Sequence, residues 1–348
     1  MSKQILVAPL NWGLGHAARC IPIINALISE GFEPIIASDG EALALLRKEF
    51  NSLPWIKLPS YNITYAKNGK YFKLKLIREF PKLLKVIRDE KKLINNFLGK
   101  NEISGIISDN RLGVKSKKVP SVFMTHQLNV LSGNTTWFST KMHQYFINKF
   151  DVCWVPDAHG AINLSGKLGR TKSLAIPTKY IGPLSRFNYH NTEIKYDILV
   201  LISGPEPQRT LLEEKLFFEF KNYSRSIVFV KGIVEQEQTI EVIGNMTIYN
   251  FMTTELLEKT INESDLIISR SGYTTVMDLA KLNKKAFFIP TPGQYEQEYL
   301  ANRLTDIGLV PSCSQDKFTL KNIEEVDDFE GLKAIDFEVN YKELFSLF

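Results

Sequence analysis

Short apolar runs alternate with segments of helical periodicity along the first half of the chain. The strands predicted from this pattern are Gln4–Pro9, Pro34–Ser38, Trp55–Leu58, Gly105–Ser108, Ser121–Thr125 and Val152–Val155, and the helices are His16–Ser29, Glu41–Glu49 and Ser139–Lys149. Strands that alternate with helices of this length are typical of βαβ units. The pattern therefore predicts a parallel sheet flanked by helices.

The same alternation starts again in the second half. A short strand, Tyr180–Leu184, stops at a Gly-Pro pair and is followed by a polar connector, Asn188–Lys195. We place a domain boundary there, which gives domains at 1–187 and 188–330 and a C-terminal segment at 331–348. The strands predicted in the second domain are Asp197–Ser203, Ser226–Lys231, Met246–Phe251, Leu266–Ser269 and Ala286–Pro290, and the helices are Pro207–Phe220, Thr254–Asn262, Thr274–Leu282 and Glu296–Thr305.

Length and composition agree with two ordinary globular domains. The chain has 348 residues, more than one hydrophobic core usually serves, with 44% apolar and 23% charged residues. Its three cysteines, Cys20, Cys153 and Cys313, have no metal-like spacing and an odd count, which favours reduced thiols over a disulfide framework. The sequence has no signal-peptide pattern and no long apolar run. We therefore expect a protein without a metal site, cytoplasmic or attached to the inner face of the cell membrane.

One segment, Lys67–Lys92, is strongly basic. It contains ten lysines or arginines and three acidic residues, with apolar and aromatic residues between them. Such a segment can form an amphipathic helix whose apolar stripe packs on the sheet, or it can lie on an anionic membrane surface. Nucleic acid is not expected as a partner, because the rest of the chain offers no basic face and no recognised binding module.

The turn after the strand Leu266–Ser269 combines small, hydroxyl-bearing and glycine residues where a helix begins. Such a turn offers backbone N–H groups and the positive end of the helix dipole to an anion such as a diphosphate. Asp278 follows one helical turn later, where its carboxylate can accept hydrogen bonds from ribose hydroxyls. The turn therefore predicts a nucleotide-sugar site, whose contacts are Arg270, Ser271, Gly272, Thr274 and Asp278.

A second strand, at Phe287–Pro290, also breaks at prolines and a glycine into a polar helix start. Open α/β sheets bind ligands outside the carboxyl ends of their strands, so both loops are expected to border one crevice. In the first domain, Asn11–Arg19 is likewise a glycine turn between a strand and a helix, with Gly13 and Gly15 allowing close approach of the backbone.

Three segments carry a resemblance to a known family: ILVAPLNWGLGHAARCIPIINAL, RSGYTTVMDLA and FFIPTPGQYEQEYLAN. Together they resemble the MurG-like family-28 glycosyltransferases, and the resemblance spans most of the chain. It implies the GT-B fold, an α/β architecture with two Rossmann-like domains facing each other across a cleft. It further implies that the second domain binds the donor and that a C-terminal helix returns to the first domain.

The resemblance also assigns donor contacts in the second domain. A phosphate loop is implied at Leu201–Arg209, although prolines replace most of its glycines and remove N–H donors. The base is expected next to the strand that ends at Phe251, and the sugar hydroxyls next to a Gln-Glu pair where the family usually has two amides. The residues implied are Ser203, Gly204, Arg209, Phe251, Met252, Gln297 and Glu298.

Candidate acid-base residues lie in the first domain. The GxGH spacing places His16 at a helix start, where the dipole lowers an imidazole pKa and favours the neutral form that a base requires. Asp109 ends one strand and His126 follows another, and Asp109 near either histidine is either a base with its orienting group or a mutual structural partner. Arg19 is expected to contact an anion or to form a surface salt bridge. The loop with His126 resembles the family's acceptor-side histidine loop, whereas the charged segment around Asp109 replaces a glycine-rich one.

These observations predict an inverting glycosyltransferase that needs no metal and no cofactor. A hexose or N-acetylhexosamine is expected to pass from a UDP-sugar to a hydroxyl of a lipid-linked or glycan acceptor. One alternative is a UDP-sugar hydrolase of the flagellin-sugar type, which shares the GxGHxxR pattern of Gly13–Arg19. The other is a protein that binds a nucleotide sugar without turning it over.

Overall fold

The computed structural model describes residues 2–61, 72–160, 163–172, 174–233, 235–333 and 339–348, with backbone only at 72–79. The chain divides into unit 1, Met1–Leu184 with Phe337–Phe348, and unit 2, Ser185–Asp336. The domain boundary expected from the sequence lay between residues 187 and 188. Part of the basic segment, residues 67–71, lies outside the described residues.

Unit 1 is a parallel sheet of seven strands in the order β3-β2-β1-β4-β5-β6-β7. Its strands are β1 (Gln4–Pro9), β2 (Glu33–Ser38), β3 (Trp55–Lys57), β4 (Ile103–Asp109), β5 (Ser121–Met124), β6 (Val152–Val155) and β7 (Thr178–Tyr180). Its helices are α1 (Gly15–Ser29), α2 (Gly40–Glu49), α3 (Phe72–Leu98) and α4 (Thr136–Ile147), with the C-terminal α9 (Tyr341–Phe345). Strands that are buried on both faces explain the continuous apolar runs in the sequence.

The C-terminal residues pack on unit 1. The Phe345 ring lies 5.8 Å from the Phe32 ring and 6.3 Å from Trp154, and the Phe348 ring lies 6.2 Å from Trp154. A Cβ at Gly105 of β4 would collide with Phe348, so this glycine makes room for the C-terminal ring. Aromatic burial of this kind fixes the last helix to the core of unit 1.

Unit 2 has a second sheet in the order β10-β11-β9-β8-β12-β13. Its strands are β8 (Tyr196–Leu201), β9 (Ile227–Val230), β10 (Ile240–Ile243), β11 (Met246–Tyr249), β12 (Ser264–Ser269) and β13 (Lys285–Phe288), and its helices are α5 (Gln208–Phe220), α6 (Thr254–Asn262), α7 (Tyr273–Lys281) and α8 (Tyr295–Asp306). All pairs are parallel except β10 with β11. The alternating pattern thus predicted most helices and parallel strands of both units, and the mixed α/β class is confirmed. The strand predicted at Tyr180–Leu184 instead lies at Thr178–Tyr180 as β7.

The sequence analysis missed the edge strand β10. Its four residues are all exposed, and it forms a hairpin with β11 around Gly244, whose φ is +61°. An exposed edge strand lacks the buried apolar face from which strands are recognised. Short 3-10 helices at Gly133–Thr135, Gly166–Gly169 and Leu320–Asp328 were missed for a similar reason, since few of their residues are buried.

Candidate active site

In unit 1, His16 and Asp109 lie next to each other because two neighbouring strands end there. β1 and β4 are adjacent, with Pro9 opposite Asp109 in the register. The chain turns after β1 through Gly13, whose φ is +68°, and enters α1 at Gly15. This places His16 Nδ1 3.2 Å from Asp109 Oδ1, so the predicted pairing of these two side chains is present.

Arg19 lies at the centre of this group. Its Nε donates to Asp109 Oδ2 at 2.7 Å and its Nη2 to the other carboxylate oxygen. Nη1 lies 2.9 Å from His126 Nδ1, and Nη2 lies 2.8 Å from His16 Nδ1. The sequence predicts either an anion contact or a surface salt bridge for Arg19, and in the structure it forms a buried ion pair with Asp109. The side chain is 2% exposed and instead holds one carboxylate and two imidazole rings in place.

Burial and charge set the protonation of His16 and Asp109. Burial lowers the pKa of His16, and the neighbouring Arg19 charge lowers it further. Burial by itself raises the pKa of Asp109, but the charge of Arg19, together with the hydrogen bonds from His16 and Arg19, outweighs it and holds the pKa well below the usual range. At neutral pH the group therefore contains an ionised carboxylate, a guanidinium and a neutral His16.

His126 completes the group from the loop after β5. Its backbone neighbour Thr125 donates its N–H to Trp154 O at 3.0 Å, which ties the loop to β6, and the His126 side chain is 4% exposed. His143 of α4 lies close by, with its ring 5.6 Å from Phe123. Burial lowers the pKa of His143 to about 4, so this histidine is a neutral and largely buried ring.

A second buried network supports the same edge of the sheet. Arg111 donates to Pro9 O at 2.8 Å, to Glu90 Oε1 at 2.8 Å and to Asp39. Asp39 also accepts from Asn11 Nδ2 at 3.3 Å, in the loop that precedes His16. Arg111 therefore links helix α3, through Glu90, to the glycine turn. No local sequence pattern indicates this link, because its members are far apart along the chain.

In unit 2 the loops expected to bind the donor all follow the carboxyl ends of strands in the same sheet. Ser269 of β12 is opposite Leu201 of β8 on one side and Phe288 of β13 on the other. The loops at Ser203, Ser271 and Thr291 therefore begin next to one another. Phe251 follows β11 at the same edge, with β9 and β8 lying between it and β12.

Helix α7 begins in the predicted turn. Gly272 is its N-cap in extended backbone (φ −66°, ψ 140°), without a side-chain cap, and Val276 N–H donates to Gly272 O at 3.0 Å. By contrast, α6 is capped by the Thr253 hydroxyl, which accepts from Leu256 N–H. The start of a helix favours a bound anion, because the positive end of the helix dipole lies there.

The two donor motifs are joined by hydrogen bonds. Ser271 Oγ donates to Gln297 O at 2.8 Å, and Gln297 Oε1 accepts from Thr291 N–H at 2.8 Å. Glu298 Oε1 accepts from Gly293 N–H at 2.8 Å. Both side chains of the Gln-Glu pair thus fold back onto the loop before α8. Gln297 retains one amide hydrogen beyond its bond to Gln294 Oε1, and Glu298 has a second carboxylate oxygen.

Two arginines expected to contact phosphate are committed to other partners. Arg270 is 1% exposed, and it donates to the carbonyls of Ile289, Pro290 and Gln208 and to Gln315 Oε1. Burial lowers its pKa to about 10. Arg209 donates to Glu206 at 2.6 Å and to Glu213 at 2.8 Å. Arg270 joins the loops that contain these carbonyls, and Arg209 is paired with two acids.

Asp278 lies within α7 as predicted, partly buried. Its Oδ1 accepts from Ser185 Oγ at 2.6 Å. Burial raises its pKa to about 6, in part offset by the Ser185 hydrogen bond and by the charge of Arg186. The sequence analysis overlooked Arg186, which donates to Thr254 Oγ1 at 3.0 Å where α6 begins. The one sequence signal near Arg186 is the Gly-Pro pair, which ends three residues before it.

The remaining predicted contacts are partly or fully accessible. Ser203 and Gly204 are exposed, and Gly204 has φ +113° and lies beside Thr291. Phe251 and Met252 are partly exposed, while Phe251 O accepts from Gln238 Nε2 at 2.8 Å and its N–H donates to Asn250 Oδ1. In the described part of the chain, no group of three or more metal-ligating side chains is found, and no helix has the length and apolarity needed to cross a bilayer.

Comparison with known proteins agrees with this architecture. The family model "Glycosyltransferase family 28 C-terminal domain" matches residues 209–328, within unit 2. An uncharacterized glycosyltransferase of Methanopyrus kandleri is 23% identical over 94% of this chain and 93% of its own length. The UDP-N-acetylglucosamine–N-acetylmuramyl-(pentapeptide) pyrophosphoryl-undecaprenol N-acetylglucosamine transferase of Glaesserella parasuis is 24% identical over 93% and 88%.

Solved structures share the fold over nearly the full length. The glycotransferase of kitacinnamycin superposes with a TM-score of 0.65 at 12% identity, covering 94% of this chain and 90% of its own. MurG of Acinetobacter baumannii gives a TM-score of 0.53 at 15% identity, covering 93% and 89%.

Proposed function

Because the chain is a family-28 glycosyltransferase with the GT-B fold, we propose that it transfers a hexose or N-acetylhexosamine from a UDP-sugar to a hydroxyl of a lipid-linked or glycan acceptor. The observation that carries the donor assignment is the first turn of α7, which has no side-chain cap, beside the Gln297–Glu298 pair. The names of the bacterial relatives, which specify a UDP-sugar donor and a polyprenyl-linked acceptor, support the substrate classes.

The donor is held by unit 2. Backbone N–H groups at Gly272–Thr274 bind the diphosphate, and the helix dipole stabilises the negative charge that grows on it as the sugar leaves. Arg186 replaces Arg209 and Arg270 as the cation for the diphosphate, since its charge already acts on Asp278. Asp278 accepts hydrogen bonds from the ribose, and the outward-facing atoms of Gln297 and Glu298 contact the sugar hydroxyls.

The acceptor proton is taken by His16. In its Nδ1–H tautomer His16 donates to Asp109, Arg19 Nη2 donates to the Asp109 carboxylate and not to His16, and Nε2 is left to accept the proton of the acceptor hydroxyl. Asp109 is the orienting group and not the base, because its low pKa and its hydrogen bonds from Arg19 keep it ionised and occupied. The acceptor oxygen forms a bond to the anomeric carbon as the bond from that carbon to the phosphate oxygen breaks. A single displacement of this kind inverts the configuration.

The test begins with thermal shift. A panel of nucleotide sugars is screened for a rise in melting temperature, since a ligand that binds only the folded state stabilises it. With the best ligand, release of UDP is then measured with and without polyprenyl-linked and free glycan acceptors, in the presence and absence of EDTA. The proposal predicts acceptor-dependent release that EDTA leaves unchanged, and an active-site variant His16→Ala that binds the donor without turning it over.

Two outcomes would contradict the proposal. Release of UDP at the same rate without acceptor would identify a hydrolase, the alternative suggested by the GxGHxxR pattern of Gly13–Arg19. A thermal shift without release under any condition would identify a binding protein.

A further inference from the structure

An exposed tryptophan lies in the turn between β1 and α1. Trp12 is 44% exposed, although tryptophan side chains are highly buried on average. It follows Leu10, whose N–H donates to Asp109 O at 2.9 Å, and it precedes His16 by four residues. The ring of Trp12 therefore belongs to the same turn as the proposed base, at the carboxyl end of the sheet of unit 1.

The turn that carries Trp12 is anchored by the neighbouring residue, Asn11. Asn11 Oδ1 accepts from Ala42 N–H at 3.2 Å, and Asn11 Nδ2 donates to Asp39 Oδ2 at 3.3 Å. Gly40 makes room for this side chain, because its φ is +51° and a Cβ there would collide with Asn11 Nδ2. Trp12 is thus exposed on a turn that hydrogen bonds fix to the start of α2.

Asn110, directly after the neighbouring strand β4, has an unusual backbone and side chain. Its φ is +59°, in the left-handed region that non-glycine residues rarely adopt and that is often found at functional sites. Its Oδ1 is buried, and in the part of the chain that the structure describes this atom has no hydrogen-bond partner. A buried amide oxygen of this kind costs free energy unless a bound molecule supplies the donor.

Trp12 and Asn110 come from the two turns that hold His16 and Asp109. Strands β1 and β4 are adjacent, with Pro9 opposite Asp109 in the register. Trp12 lies three residues after Pro9, and Asn110 directly follows Asp109, so both turns leave the sheet where the proposed base is oriented. One side chain contributes a flat apolar ring, and the other contributes an amide that can both donate and accept.

We propose that Trp12 and Asn110 form the subsite for the sugar ring of the acceptor. A pyranose carries C–H groups on its face, which pack on an aromatic ring, and hydroxyls along its edge, which pair with an amide. The inference rests on the proposed function, because this sugar carries the hydroxyl whose proton His16 accepts. Asn110 belongs to the segment that differs from the family's glycine-rich one, so the subsite gives this chain its own acceptor specificity.

The first experiment measures binding of glycosides to the full chain without any donor. Calorimetric titrations are carried out with the methyl glycosides of glucose, galactose and N-acetylglucosamine. Octanol serves as an apolar probe that has a hydroxyl but no sugar ring. Because no donor is present, the result does not depend on whether the transfer reaction takes place.

The variants remove one recognition group each. Trp12→Leu removes the aromatic ring, and Asn110→Gly removes the amide at a φ that glycine adopts without strain. Trp55→Leu is the matched control for the first, because Trp55 of β3 is also 44% exposed and has the Arg47 guanidinium 4.2 Å from its ring centre. Asn283→Gly is the matched control for the second, because Asn283 has a φ of +52°.

We expect at least one methyl glycoside to bind the wild type. Trp12→Leu and Asn110→Gly should each lower the affinity by at least about tenfold, whereas Trp12→Phe, which keeps an aromatic ring, should retain most of it. The two controls should bind like the wild type. The glycoside should change the tryptophan fluorescence of the wild type and of Trp55→Leu but not that of Trp12→Leu. Unchanged melting temperatures would show that the variants fold.

A second measurement uses the transfer reaction. With a glycan acceptor, Trp12→Leu and Asn110→Gly should raise the KM for the acceptor while the affinity for UDP stays the same. A purely structural role of these residues would instead lower the affinity for both substrates together with the melting temperature.

The subsite is overturned if the wild type binds none of the glycosides, or if the controls lose as much binding as Trp12→Leu and Asn110→Gly. It is also overturned if octanol binds in a way that depends on Trp12 while the glycosides do not, since the occupant would then be an apolar chain. Glycoside binding without acceptor-dependent release of UDP would contradict the proposed transfer reaction only. Transfer that both variants leave unchanged would contradict the subsite only.

Discussion

Arg19 donates two hydrogen bonds to the carboxylate of Asp109, and both side chains are almost completely excluded from solvent. The pair joins helix α1 to the end of strand β4. It holds the orienting carboxylate of the proposed base in its ionised form, so one guanidinium serves both the fold and the chemistry of unit 1.

Arg19→Met should destabilise the protein by about 3–5 kcal/mol, because it leaves the buried Asp109 carboxylate without its countercharge. Urea unfolding followed by circular dichroism measures this. Arg88→Met is the control, since Arg88 is exposed on α3 and its loss should cost less than about 0.5 kcal/mol. A cost for Arg19→Met as small as that of the control would show that the pair does not exist in solution.

The pH dependence of turnover should reflect His16. Its pKa in the folded protein lies below the ordinary value of 6.5, so the neutral base persists to a lower pH and kcat/KM should fall only below pH 6.5. The unfolded chain binds the His16 proton more readily than the folded one, so this group also makes stability rise with pH up to the ordinary value. An acid limb centred above pH 6.5 would contradict the account.

Asp278→Asn should make the protein more stable above pH 6 and should weaken its binding of UDP. The pKa of Asp278 is about 6 in the folded protein, against 3.8 without burial. The folded state therefore binds this proton more readily, and stability falls as the pH rises between these two values. Above pH 6 the ionised carboxylate costs about 3 kcal/mol, which asparagine avoids.

Unfolding at pH 8 and at pH 5 tests this expectation. The variant should be more stable than the wild type at pH 8, and the difference should shrink at pH 5, while UDP binds the variant more weakly. The exposed Asp306→Asn is the control and should show neither effect. If Asp278→Asn leaves both the pH profile of stability and the UDP affinity as they are, neither the burial of Asp278 nor its ribose contact is real.

Gly272→Asp should weaken UDP binding without harming the fold. Gly272 has an ordinary φ of −66°, and a Cβ there would meet only Thr275 Oγ1 at 4.0 Å, so a side chain fits. Aspartate is also a favourable N-cap. Its charge, however, would oppose the diphosphate at close range.

Gly272→Asn is the matched comparison, because asparagine has the same size and also caps helices. Calorimetric titration should give the aspartate variant at least about tenfold lower UDP affinity than the asparagine variant, with the difference shrinking at high salt. Equal affinities would mean that the diphosphate does not bind at this helix end.

The sequence predicted the frame of both units because buried parallel strands and the helices between them have clear apolar patterns. The pairing of His16 with Asp109 was also predictable, since both follow the carboxyl ends of strands. The roles of Arg19 and Arg270 were not, because each depends on partners far along the chain: Asp109 for the first, and the carbonyls of Ile289 and Pro290 for the second.

A polar residue at a strand end is thus predicted more reliably in position than in role. Whether its side chain faces a ligand or a neighbouring loop depends on contacts with residues that are distant in the sequence, and the local sequence pattern does not predict these contacts. The same limit applies to His143, whose ring packs against Phe123 of β5, and to Arg186, whose nearness to Asp278 arises from the fold of unit 2.

The central claim is that a UDP-sugar binds unit 2 with its diphosphate at the start of α7. A crystal structure of the protein with UDP tests this most directly. The account predicts phosphate oxygens within hydrogen-bond distance of backbone N–H groups at Gly272–Thr274, and ribose hydroxyls at Asp278. UDP bound elsewhere, or those N–H groups occupied by protein carbonyls in the complex, would contradict it.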